Sequence, residues 1–190
     1  QIILSGPGRG TSRLKRSLRA DLKNAREVCI MAAYFLPTYR LRLFLVRLAR
    51  RGVKVKIILP GKNDVLLSQW ASRRLYEGLL KAGIEIYEYQ PQVLHAKMIL
   101  IDNAVYIGSA NLDTRSLYIN YELSVRLENP TIAAGAREVF DEAMRHSVQI
   151  HLKTWRRSRD WIDRLQERAA YWLLARLDLY VARRQLMDLR

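Results

Sequence analysis

Arg51-Gly52-Val53-Lys54-Val55-Lys56-Ile57-Ile58-Leu59-Pro60-Gly61 is the stretch whose reading decides the fold. Gly52 stops a helix read over residues 41–51, and Pro60-Gly61 closes the apolar run 53–59, so that run reads as a strand. Before it, residues 28–33 form a short apolar run without acids, a buried strand preceded by a basic helical pattern over 13–26. After it, a helix runs from Asp64 as cap to about residue 82, Gly83 ends it, and 84–89 is a third strand. Strands then follow at 94–101 and 104–108, with Asp102-Asn103 at their turn, and at 121–127; Pro130 opens a helix to about residue 146. Residues 1–12, with Gly6, Pro7, Gly8 and Gly10, read as a leading loop. The alternation of strands and helices predicts an α/β fold with a mixed, largely parallel β-sheet flanked by helices. The domain reading is a leading loop at 1–12, a catalytic domain at 13–150 and a helical extension at 151–190.

The composition narrows the partners. A chain of 190 residues with 49% hydrophobic residues has enough apolar side chain for one globular core plus an appendage. The formal net charge of +15 predicts an anionic partner, either nucleic acid or an anionic membrane surface, without choosing between them. Cys29 is the single cysteine, which excludes an intrachain disulfide, and its apolar surroundings make it a small core residue. No apolar run approaches the ~20 residues that span a bilayer, and no signal peptide is visible. The chain opens at Gln1 rather than Met, which reads as a fragment of a longer protein.

The extension is rich in tryptophan and arginine. On a wheel of ~100° per residue, Trp161, Leu165, Ala169, Trp172 and Leu179 share one face, with Asp160, Asp163, Glu167 and Asp178 roughly opposite. Arg164, Arg168 and Arg176 lie in or beside the apolar arc, where long stems can snorkel. Such a helix fits a bilayer interface, or docking on its own domain or on a second copy, about equally well.

The chemistry concentrates in His95-Ala96-Lys97-Met98-Ile99-Leu100-Ile101-Asp102, followed by Gly108-Ser109-Ala110-Asn111. Alternation puts His95 and Lys97 on one strand face. An imidazole nucleophile, a cation and the neutral donors Ser109 and Asn111 suit attack on a phosphoryl group. Asp102 lies seven residues from His95, so alternation points it to the other face, as a structural carboxylate. His146 and His151 have no such company and read as structural or surface residues.

This pattern, H-x-K-x-x-x-x-D followed by G-S-x-N, resembles the phospholipase D superfamily and its HKD motif. The continuation from Asn111 to Glu122, N-x-D-x-R-S-x-x-x-N-x-E, looks like the bacterial cardiolipin synthases. Ala33-Tyr34-Phe35-Leu36-Pro37, Arg51-Gly52-Val53-Lys54-Val55 and Gly83-Ile84-Glu85-Ile86-Tyr87-Glu88-Tyr89 also look like the C-terminal half of such an enzyme. The resemblance implies a catalytic set of His95, Lys97, Asp102, Ser109, Asn111 and Glu122, in which Glu122 orients His95. It also implies substrate contacts from Tyr34, Phe35, Arg115 and Asn120. It further implies transfer of a phosphatidyl group through a phosphohistidine, without a cofactor or metal. The partners would be phosphatidylglycerol, a membrane surface met through 151–190, and a second HKD motif from a missing half or a homodimer. The place would be the cytoplasmic face of a bacterial inner membrane. A lipid-hydrolysing phospholipase D and a nuclease of the same superfamily stay open as alternatives; nucleic acid is the weaker partner because of the N-x-D-x-R-S tail and the amphipathic C-terminus. A non-enzymatic membrane module is disfavoured by the intact His95, Lys97, Asn111 and Glu122.

Overall fold

The computed structural model describes residues 1–6, 13–118 and 120–188, with side chains through residue 175. In chain order the elements are β1 (Ile2–Ser5), α1 (Arg13–Lys23), β2 (Glu27–Ala32), β3 (Phe35–Leu36), α2 (Tyr39–Arg50), β4 (Lys54–Pro60), α3 (Leu66–Lys81) and β5 (Glu85–Tyr89). They continue as β6 (Lys97–Ile101), β7 (Ala104–Gly108), β8 (Leu112–Asp113), α4 (Thr114–Tyr118), β9 (Glu122–Glu128), α5 (Pro130–Arg145), β10 (Ser147–Ile150), α6 (Leu152–Ser158) and α7 (Trp161–Asp188).

Eight strands form one mixed sheet in the order β1-β9-β7-β6-β2-β4-β5-β10, and β3 pairs with β8 in a small second sheet. The pairs β2–β4 and β4–β5 are parallel because α2 and α3 supply the long crossovers that parallel pairing needs. The remaining ladders of the large sheet are antiparallel, so "largely parallel" describes only the β2-β4-β5 part. Two of those antiparallel ladders come from short edge strands. Ile2–Ser5, read as part of a loop, is an edge strand on β9, and Ser147–Ile150 is an edge strand on β5. At four residues each, with one side open to solvent, such strands carry too little alternation to be read. The rest of the leading-loop reading, over residues 7–12, lies outside the described residues.

Alternation along the central strands sorts side chains to two cores. Val28, Ile30, Val55 and Ile57 face α1, α2 and α3, whereas Cys29, Met31, Ile58 and Leu100 face α5. Burial pushes the Cys29 thiol up to about 12, so it stays protonated and inert. Among the described residues, the extension has no core of its own. Trp155 is buried against Tyr76 with ring centroids 4.9 Å apart, and Ala170 of α7 belongs to the α1–α3 core. α7 docks through Glu167, Ala170, Tyr171 and Leu174, and its Trp161, Leu165 and Trp172 face outward at 74%, 59% and 59% exposure. The side chains of Arg176, Asp178 and Leu179 lie outside the described ones. No described helix is long and apolar enough to cross a membrane.

α1 is fastened to the sheet by ions as well as by leucines. Arg126 donates from Nε and Nη2 to the two Asp21 oxygens at 2.7 and 2.9 Å, and the Tyr106 hydroxyl donates to Asp21 at 2.5 Å. Burial alone would raise the Asp21 carboxyl, but the bonds from Arg126 and Tyr106 outweigh it and hold the group below its ordinary range. A carboxyl depressed in the folded state adds stability above its unfolded value. That stability disappears as pH falls from about 4 through the folded value. Asp21→Asn is therefore expected to lower unfolding free energy by about 1–3 kcal/mol at pH 7. Urea titrations should also show a flatter acid limb below about pH 4 in the variant.

Candidate active site

The site forms where several strands end on one edge of the sheet. β6 starts there, β7 finishes there and β9 starts there. Ala33 N–H donates to the Ala96 carbonyl at 2.9 Å, which ties the segment before β6 to the end of β2. His95 is exposed just ahead of β6, and Lys97 is its first residue. The Lys97 Nζ lies 3.0 Å from His95 Nε2. An ammonium can only donate, so Nε2 accepts. Burial lowers the Lys97 ammonium below the ordinary lysine value, against the opposing pull of Glu122 and Asp113.

Across from this pair, the β7–β8 turn is locked to β9. Ser109 N–H donates to the Leu123 carbonyl at 2.9 Å, and Leu123 N–H donates to Ser109 Oγ at 3.1 Å. Ser109 Oγ in turn donates to Glu122, and Asn120 Nδ2 donates to the other Glu122 oxygen at 3.2 Å. The approach depends on Gly108, where an added Cβ would sit 2.2 Å from the Leu123 carbonyl oxygen and 2.7 Å from Ser124 Cα. Pairing of β8 with β3 fixes Asn111. Its amide oxygen is buried with no hydrogen-bond partner, and it lines, with Lys97 and Ser124, a cavity of about 20 Å³, room for roughly one water.

His95, Lys97, Ser109, Asn111, Asn120 and Glu122 thus share one edge, whereas Asp102 and Phe35 stand apart. Asp102 is at the opposite end of β6 with φ 49°. Its carboxylate accepts the backbone N–H groups of Arg26 and Glu27 at 3.0–3.2 Å, so it anchors the start of β2 and has no place in the site. Phe35 is 1% exposed and serves the core rather than a substrate. Glu122 does not hydrogen-bond His95; it braces Ser109 and Asn120 instead. Arg115 is exposed on α4, whose first turn Asp113 caps through Ser116 N–H at 2.7 Å. The Tyr34 hydroxyl donates to Asp64 at 2.8 and 3.0 Å. Asp64 was expected as the cap of α3, but that helix starts at Leu66 after Val65 with no side-chain cap. Asp64 thus holds the Tyr34 hydroxyl, a partner that its position before a helix disguised.

The family described as the phospholipase D-like domain of cardiolipin synthase matches residues 18–144. The chain belongs to that family. Among its relatives are cardiolipin synthase A of Cronobacter sakazakii (strain ATCC BAA-894), 37% identical over 172 residues, and that of Proteus mirabilis (strain HI4320), 34% identical over 174. Each match covers 90% of this chain but only 35% and 36% of the relative, so the chain spans about a third of their length. The phospholipase D family member Nuc from Salmonella typhimurium shares the fold at a TM-score of 0.65 and 22% identity, over 80% of this chain and 97% of that one. Phosphatidylserine synthase of Haemophilus influenzae Rd KW20 does so at 0.73 and 14% identity, over 96% of this chain and 47% of that one.

Gly108→Ala is expected to cost more than about 2 kcal/mol, because its Cβ would meet backbone on two sides. Gly78→Ala in α3, where an added Cβ meets nothing within 4 Å, should gain up to about 1 kcal/mol. Chemical denaturation of the two variants beside the parent checks both signs.

Proposed function

We propose that this chain carries the nucleophile of a phosphatidyltransferase that condenses two phosphatidylglycerols to cardiolipin and glycerol. The observation that carries the reading is the 3.0 Å contact between Lys97 Nζ and His95 Nε2 on a domain of the cardiolipin synthase family. In the free site Lys97 occupies the lone pair of Nε2. A substrate phosphate draws the ammonium onto a non-bridging oxygen, which releases Nε2 to attack phosphorus. The P–O bond to the departing glycerol breaks as the P–N bond forms, and the leaving oxygen takes a proton from a general acid. The hydroxyl of a second phosphatidylglycerol then attacks phosphorus, loses its proton to the same group, and His95 leaves. Asn111 donates its amide to the phosphate, and Glu122 holds Ser109 and Asn120 in place around it.

This chain has one HKD motif, so the general acid comes from a second motif, in a further part of a longer protein or in a second copy. An apolar sheet face beside the site supports such a partner. Ile2 opposes Val125, which in turn opposes Ile107, and Leu4 opposes Leu123. Ile2, Leu4, Ile107 and Leu123 are 48–72% exposed. The outward Trp161, Leu165 and Trp172 support apposition to a membrane.

Product analysis by mass spectrometry after incubation with phosphatidylglycerol vesicles tests the reading, with the remaining two-thirds of a relative supplied in one arm. Cardiolipin plus glycerol is expected, absent with His95→Ala and slowed roughly a hundredfold with Lys97→Met. Phosphatidic acid would assign hydrolysis, and cleavage of DNA in place of lipid would assign a nuclease.

A further inference from the structure

A second cationic site lies outside the edge that holds His95. α3, α6 and α7 enclose a cavity of about 320 Å³ over β5, lined by six arginines and two glutamates. β5 is three strands from β6, roughly 14 Å across the sheet.

Some of these charges are already matched. Arg73 forms two bonds of 3.1 Å with Glu88, and Arg156 donates twice to Glu77 at 2.9 and 3.0 Å. Arg74, Arg164 and Arg168 have no carboxylate within salt-bridge reach among the described residues. Arg159 lies 4.0 Å over the Trp155 ring, and its Nη1 pairs with Asp163 at 3.8 Å. Its Nε is buried without an acceptor, and Oε1 of Glu167 is buried without a donor. The two atoms are 3.9 Å apart, too long for a hydrogen bond between them. Glu167 is 6% exposed, and burial raises its carboxyl. Arg164 also donates to the Arg156 carbonyl at 3.3 Å, and a buried donor and a buried acceptor left open side by side are costly unless a ligand closes both.

We infer that this cavity binds a phosphate group bearing a hydroxyl, either inorganic phosphate or the headgroup of a hydroxylated anionic phospholipid. An anionic oxygen gives Arg159 Nε its acceptor, the hydroxyl gives Glu167 its donor, and Arg74, Arg164 and Arg168 balance the charge. Arg164 and Arg168 lie one turn along α7 from the outward Trp161, Leu165 and Trp172, so a lipid headgroup in the cavity would have apolar surface beside it for its chains. The inference does not depend on the reaction at His95.

The test titrates the whole chain with inorganic phosphate in a phosphate-free buffer and follows the Arg159 Nε–H signal by ¹H–¹⁵N correlation. A saturable shift is expected in the parent and in His95→Ala. In the double variant Arg74→Gln, Arg168→Gln, affinity should fall at least roughly tenfold while the thermal midpoint holds. Phosphatidylglycerol vesicles form a second arm, with Arg50→Gln, Arg51→Gln as the charge-matched control. Vesicles that shift the same signal, and bind the cavity variant more weakly than the control, assign the lipid headgroup. A phosphate shift that vesicles leave unchanged assigns soluble phosphate. No saturable phosphate shift, or one of parental affinity in the cavity variant, overturns the inference. A signal that responds to duplex DNA but not to phosphate overturns it in favour of nucleic acid.

Discussion

The central strands are apolar on both faces, and that constraint arranges everything else. β2 turns Val28 and Ile30 toward α1–α3 and Cys29 and Met31 toward α5, so no side chain in its middle is free for chemistry. Polar groups that must meet a substrate are displaced to strand ends. His95 sits before β6, Ser109 after β7 and Glu122 at the first position of β9, and the ladder order brings these ends to one edge. The same rule explains Asp102. It too sits at a strand end, but at the other one, and there its carboxylate fastens backbone instead.

The parts of this arrangement that follow from local pattern were readable in the chain. Apolar runs bounded by Gly52, Pro60-Gly61 and Gly83 locate β4, α3 and β5 to within a residue or two. His95 and Lys97 are in contact, and Asn111 lines a cavity with Lys97, an arrangement compatible with their spacing. What was not readable depends on distant partners. Ile2–Ser5 is a strand only because β9 offers it an edge. Phe35 carries the same aromatic character whether it faces a substrate or the core, and its pairing with Leu112 decides the matter. Glu122 pairs with Ser109 and Asn120 because the tight β7–β9 approach at Gly108 brings Ser109 Oγ to it before His95 can reach it.

α7 carries apolar side chains on both faces. Glu167, Ala170, Tyr171 and Leu174 turn inward, while Trp161, Leu165 and Trp172 turn outward. The inward carboxylate of Glu167 faces Arg159 and the arginines of α3, of which Arg73 is itself held by Glu88. Wheel geometry finds the two faces correctly but cannot tell which one the protein keeps. That choice rests on the charge of the helix opposite, a fact about tertiary neighbours.

Cys29 carries a consequence of a different kind. It is the sole thiol of the chain, 1% exposed and held protonated by its apolar surroundings. Maleimides and disulfide reagents therefore have nothing to react with on the folded protein. A single cysteine introduced at Trp161 or at Arg168 would be the one labelled position, so a spin or fluorescent probe could report each face of α7 with the natural sequence as background.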